Sequence, residues 1–112
     1  MLIVDAQVHV WGADTPGRPW PPGEAHRAHK PYPVTKDMAL DGMKEAGVDR
    51  VVIVPPSWEG DRNDLALEVA RLHPDRFAVM GRLAIEKPES RVRVDGWKRQ
   101  PGMLGMRFTF ST

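Results

Sequence analysis

The sequence predicts an α/β fold, the first half of a (β/α)8 TIM barrel, in the order β-α-β-α-β-α-β with parallel strands. Three observations predict it. Short apolar strands alternate with helical segments, which implies right-handed βαβ units and a parallel sheet. Strands two, three and four start near residues 50, 77 and 103, a step of roughly 26–27 residues. DGMKEAGVDRVVIV and DGWKRQPGMLGMRF share DG-x-K ahead of a strand, a weak internal echo. A small open sheet is the competing architecture. The chain stops just after a strand, with no helix to cover it, and on that ground the half-barrel is expected, as one partial domain over 1–112.

Each element has its own grounds. Leu2–Val10 alternates, with Val4, Ala6, Val8 and Val10 on one face and Asp5, Gln7 and His9 on the other. Residues 11–34 form a long proline- and glycine-rich loop in which no regular element can run far; ordered loops of this length are often functional. Thr35 caps a helix over about Lys36–Ala46, with Asp37 near its start, Lys44 near its end, Gly47 as the stop, and an apolar stripe of Ala39, Met43 and Ala46. VDRVVIVPP supplies a strand over about Arg50–Val54, and its unbroken Val/Ile run implies burial on both faces. Asn63 or Asp61 caps a second helix to about Leu72, with Leu65, Val69 and Leu72 as its inner stripe, and Pro74 ends it. Phe77–Leu83 is the third strand. Pro88–Gln100 is read as a third helix, although RVRV alternates like a strand and Gly96 is costly inside a helix. Met103–Phe110 is the fourth strand.

The composition is 41% hydrophobic and 28% charged, with a net charge of +1. Basic and acidic residues are nearly balanced and form no long block, so no nucleic-acid partner is expected. The absence of cysteine removes disulfides and thiolate metal sites. The apolar start is broken at Asp5 and lacks a positive n-region, and no stretch approaches the roughly 18 apolar residues of a membrane helix. No membrane partner and a cytoplasmic location are expected.

Candidate site residues follow from the architecture, because α/β enzymes place their chemistry at the C-terminal ends of parallel strands. Gln7 and His9 lie toward that end of strand one. Two imidazoles at i and i+2 there could share a divalent metal and lower the pKa of a bound water. VDAQVHVWG, EAGVDRVVIVPPS, HPDRFAVMGRL and PGMLGMRF, taken in order, resemble the amidohydrolase superfamily, and among its branches the amidohydrolase-related one, which includes lactone hydrolases and some decarboxylases. The resemblance implies a (β/α)8 barrel that hydrolyses or decarboxylates at its C-terminal face. Its other metal ligands and its catalytic Asp would come from later strands, and this chain would hold about 40% of a barrel of roughly 250 residues.

One departure matters. The family opening has the form D-x-H-x-H, and its first His is replaced here by Gln7. A neutral amide is a poor zinc ligand. The cofactor expected is therefore none, or a divalent metal such as Zn on a weakened site with His9 as ligand. Some lactone hydrolases of the branch work without metal, and the resemblance then implies water activated by a carboxylate and a carbonyl polarised by His and Arg. On that reading His9 and Gln7 are the catalytic candidates: His9 holds a substrate oxygen and Gln7 orients water or substrate. Asp5 supports the strand. Trp11, Ser57 and Arg107 are substrate-binding candidates. Arg82 also lies in a strand, where a guanidinium must pair internally or meet an anion. The partner expected is a small, anionic molecule.

Each candidate has a plainer alternative. His9 could be a buried structural histidine, Gln7 a core amide, Trp11 a pin for the loop, Ser57 a turn cap. His26 and His29 form H-x-x-H in a loop with nothing to fix their geometry, and are expected to be solvated. His73 is expected to interact with a helix dipole. Three functions fit. The first is a fragment of a hydrolase acting on a lactone or related cyclic ester or amide, inactive alone. The second is a metal-dependent hydrolase or decarboxylase completed by a second chain, through self-association at exposed sheet edges. The third is a non-catalytic binder.

Overall fold

The computed structural model describes residues 1–108. Four parallel strands form one sheet in the order β1-β2-β3-β4. They are β1 (Val4–Val8), β2 (Arg50–Ile53), β3 (Phe77–Arg82) and β4 (Met103–Arg107). The helices are α1 (Lys36–Ala46), α2 (Asp64–Leu72) and the short α3 (Ser90–Asp95). Spatial order equal to chain order separates a barrel from a doubly wound sheet, in which the order reverses partway. Among the described residues no helix is long and apolar enough to cross a membrane.

One sheet face carries the core. Val51 and Ile53 of β2, Phe77 and Val79 of β3 and Met103 of β4 pack with Met43 of α1, with Ala66, Val69 and Ala70 of α2, and with Trp97. Ile53 and Val79 are 0% exposed, and full burial of such side chains stabilises by about 1.5–3 kcal/mol each. The other face is open: Val52, Ala78 and Met80 are half-buried there and Leu104 is exposed. The burial expected on both faces of β2 is therefore complete only on the helix side.

α1 matches its expected bounds. Thr35 Oγ1 accepts from the Met38 N–H at 3.4 Å, and Gly47 stops the helix in the left-handed region at φ 73°. Its inner stripe is Ala39, Leu40 and Met43, while Ala46 is exposed. α2 is turned relative to the expected stripe. Its buried residues are Ala66, Val69 and Ala70, and Leu72 is exposed. Small residues let the helix lie close to the sheet. α3 is shorter than expected: it stops at Gly96, and a 3-10 turn over Trp97–Arg99 completes the connection. The outer part of the fourth strand, Thr109 and Phe110, lies outside the described residues.

β1 departs from simple alternation. Asp5 is level with Val51 and Val8 with Ile53, so three residues of β1 run against two of β2. At this bulge Asp5 Oδ1 accepts from the Gln7 N–H at 3.1 Å. Residues level in a parallel sheet share a face. Asp5 therefore does not continue the row of Gln7 and His9, contrary to the alternation read from sequence; it stabilises the bulge instead.

Candidate active site

All four strands deliver residues to one end of the sheet. His9 follows β1, Pro55–Glu59 follow β2, Arg82 ends β3 and Arg107 ends β4. The chain leaves β2 through Pro55 and Pro56 into a 3-10 turn over Ser57–Glu59 that buries Trp58 and Glu59. Trp58 is the hub. Its ring lies 5.5 Å from His9, 4.8 Å from His29 and 5.0 Å from Trp11, centroid to centroid. His9 and His29 are themselves 5.3 Å apart.

His9 Nδ1 lies 2.6 Å from the Val54 carbonyl oxygen. A carbonyl only accepts, so Nδ1 carries the proton and the Nε2 lone pair is left for other work. Burial lowers the His9 pKa below its ordinary 6.5, and positive charge on His29, Arg82 and Arg107 acts the same way, against the Val54 bond. The unfolded chain thus takes up this proton at higher pH than the folded one. Stability from His9 is complete above pH 6.5 and is lost as pH falls below that value toward the lowered folded pKa. Urea midpoints followed downward through this range should drop more steeply for the wild type than for His9→Gln. Equal slopes would show that His9 titrates as a solvated group.

Two arginines end the third and fourth strands, and their charge reaches His9. Arg82 is held twice: Asn63 Nδ2 donates to its carbonyl at 2.9 Å and Asn63 Oδ1 accepts its N–H at 2.7 Å. Its Nε donates to the Pro55 carbonyl. Burial lowers the Arg82 pKa, and the Arg107 charge lowers it further, while Asp61 and Glu24 act in the opposite sense. Arg107 Nη1 is buried with no hydrogen-bond partner among the described residues. Arg82, Arg107, Asp61, Leu83 and Phe108 line a small cavity of about 150 Å³.

The loop over 11–34 is tied down at several points. The Trp11 N–H donates to the Val34 carbonyl at 3.0 Å. Trp20 Nε1 donates to the Gly12 carbonyl at 3.2 Å, and its N–H to Asp14 Oδ1 at 2.9 Å. Arg18 forks between two acids: Nε donates to the buried Glu59 at 2.7 Å, and Nη1 and Nη2 to Asp64 at 2.7 and 2.8 Å. This fork holds the Asp64 carboxyl below the usual carboxylate range.

The expected site residues separate into two groups. His9 and Arg107 come within electrostatic reach of one another. Gln7 is exposed on the edge strand. Ser57 opens the 3-10 turn and is half-buried. Trp11 is buried and lines an apolar cavity of about 350 Å³ with Val34, Leu65 and Val69, on the helix side of the sheet. His29, Asn63, Glu59 and Arg18 were not foreseen as part of the site. Only His29 carried a signal, the H-x-x-H spacing, and what sequence lacked was the pinning that gives the loop a fixed geometry.

A divalent metal fits these residues poorly. No group of three or more His, Cys, Asp or Glu among the described residues could hold one. The donors near His9 are a second imidazole and two cations, and cations repel a metal ion.

Three solved structures share this architecture. A probable 2-pyrone-4,6-dicarboxylic acid hydrolase from Acinetobacter baumannii, with citric acid bound, superposes with a TM-score of 0.71 at 22% identity, over 96% of this chain and 38% of its own. An Agrobacterium tumefaciens protein in its apo form gives 0.63 and 21%, over 94% of this chain and 36% of its own. A 2,6-dihydroxybenzoate decarboxylase complexed with 2,6-dihydroxybenzoate gives 0.60 and 16%, over 94% and 37%. The fold is the first half of a (β/α)8 barrel. The chain spans less than two fifths of the length of each of these structures. No family model matches the sequence, and no curated protein matches it.

Proposed function

We propose that the chain is the N-terminal part of an amidohydrolase-related hydrolase whose whole barrel cleaves a carboxylate-bearing lactone or similar cyclic ester by attack of water, without a metal on His9. The observation that carries this reading is the Nη1 of Arg107, buried without a hydrogen-bond partner among the described residues, on the cavity that Arg107 lines with Arg82. A guanidinium with an unsatisfied buried donor gains most from an anion, and carboxylates suit its planar fork. Arg107 holds the substrate carboxylate. Neutral His9 offers Nε2 as an acceptor that orients water or takes up its proton. Gln7, at the strand edge, is a second group for water or substrate. The carboxylate that drives the water attack would come from the other half of the barrel, so this chain alone turns over no lactone.

Citrate is a suitable probe, since it presents three carboxylates. Calorimetric titration should show binding to the wild type, and Arg107→Ala should weaken it by about tenfold or more, the loss of a hydrogen bond to a charged group. A wild-type chain that ignores citrate would refute the reading, and so would stoichiometric zinc in the purified protein.

A second reading is favoured by the sheet edges. β1 and β4 each lack a second strand neighbour among the described residues. Leu2, Ile3 and Val4 are exposed at one edge and Leu104 at the other. Two copies related by a two-fold axis along the barrel would pair β4 of each with β1 of the other, parallel in both cases, and abolish both edges. Light scattering on this chain should give a dimer mass. A monomer at high protein concentration would dismiss the second copy.

A further inference from the structure

We propose that the apolar cavity between α2 and the two ends of the 11–34 loop is a second binding site, which takes a small neutral ring molecule with one hydrogen-bond acceptor, such as an aryl ketone, held by Trp11 Nε1. The cavity has a volume of about 350 Å³ and is walled by Val10, Trp11, Val34, Leu65, Val69 and Leu72. That is the lower end of small-molecule sites, which run from roughly 300 to 1,000 Å³. It shares no lining residue with the cavity of Arg82 and Arg107.

The walls are fixed by the way the loop is fastened. The Trp11 N–H donates to the Val34 carbonyl at 3.0 Å and draws the two loop ends together. Arg18 reaches from the loop to Glu59 and to Asp64, the first residue of α2. Val10, Trp11 and Val69 are themselves buried, and the Trp11 ring stands edge-on to Trp58 at 5.0 Å. A cavity already formed spares a ligand the cost of ordering its site.

Two observations define the occupant. Trp11 is 4% exposed, and its Nε1 is buried with no hydrogen-bond partner among the described residues. An indole N–H only donates, so the group that satisfies it is an acceptor, and a buried donor left unmade is costly. The charged residues of the lining are Lys36 and Glu68, opposite in sign. The cavity thus has no net pull on an ion, and its apolar walls would strip an ion of water without compensation. A neutral molecule with an apolar body and one carbonyl meets both conditions, and a ring suits the indole wall.

The test titrates the chain with acetophenone and with ethylbenzene, which has the same ring and chain without the oxygen, and follows the indole N–H resonances by NMR. Acetophenone should shift the Trp11 indole N–H and bind about tenfold more tightly than ethylbenzene. Trp11→Phe should erase that difference. Leu65→Trp, which fills the cavity from a half-buried position, should abolish binding of both probes while the amide spectrum stays that of the folded chain. Equal affinity of the wild type for the two probes would overturn the proposal, and so would binding of neither. Acetophenone binding retained by Leu65→Trp would place the molecule elsewhere and overturn it as well. A Trp11 resonance that moves with protein concentration, and that acetophenone does not displace, would assign the cavity to a second copy of the chain instead. Should Trp11→Phe fail to fold, the wild-type comparison and Leu65→Trp decide the matter.

Discussion

Arg18→Ala is expected to destabilise the fold by about 3 kcal/mol, the cost of stranding one member of a buried ion pair. The reason lies at Glu59, which is 3% exposed and, among the described residues, accepts from two donors, Arg18 Nε at 2.7 Å and the Gly12 N–H at 3.2 Å. Without the guanidinium a buried carboxylate keeps a single backbone partner. The other arm of the fork contributes little of this, because the Asp64 side chain is 64% exposed and its pairing is screened by water. Denaturant unfolding of Arg18→Ala measures the loss. A cycle with Glu59→Gln locates it: the double variant should be close to Glu59→Gln alone, since a neutral amide needs no cation. A loss below about 1 kcal/mol for Arg18→Ala would mean that Glu59 is hydrated and the fork is a surface feature.

Gly102→Ala is expected to cost a similar amount, about 3 kcal/mol, by a different route. Gly102 enters β4 at φ 89°, where an L side chain is strained by about 1–2 kcal/mol. An added Cβ would also stand 2.7 Å from the Cβ of Ala70. That atom has no rotamer to move into, so α2 or β4 must shift, and overpacking of this kind costs a further 1–3 kcal/mol or so. Gly23 provides the control. It has φ 80° and nothing within 4 Å of an added Cβ, so Gly23→Ala should show the backbone strain alone. Equal losses for the two variants would show that α2 and β4 separate freely.

The fold was largely readable from sequence because its signals are local. The Val/Ile runs, the Thr35 and Gly47 helix limits and the regular strand step each depend on neighbours a few residues away, and they placed α1, β2 and β3 to within a residue or so. The misreadings have identifiable causes. Asp5 satisfies the alternation as well as Gln7 does, and only the pairing with β2 reveals the bulge between them. The expected α2 stripe of Leu65, Val69 and Leu72 holds at Val69, whereas the sheet selects Ala66 and Ala70 beside it for closeness. The site was less readable. That His9 and Arg107 stand at one end of the sheet could be read because one follows and the other ends a parallel strand. The ties from Arg18 to Glu59 and from His29 to Trp58 join the loop to a turn some 30 to 40 positions onward, and no periodicity records such a meeting.

Asn63 has a consequence of its own. β2 ends at Ile53, level with Val79, so at Arg82 the third strand has no ladder partner on that side. The carboxamide of Asn63, donating from one end and accepting at the other, occupies that place as a rung one side chain wide. It also stands at the start of α2 without capping it through its side chain, so helix initiation has given up a donor-acceptor pair to the sheet. The vocabulary open to this position is correspondingly narrow. Aspartate accepts but cannot donate, serine is too short to span both groups, and glutamine adds a methylene that carries the amide past them. The height at which Arg82 stands in the sheet is therefore set by a residue that does not itself line the cavity.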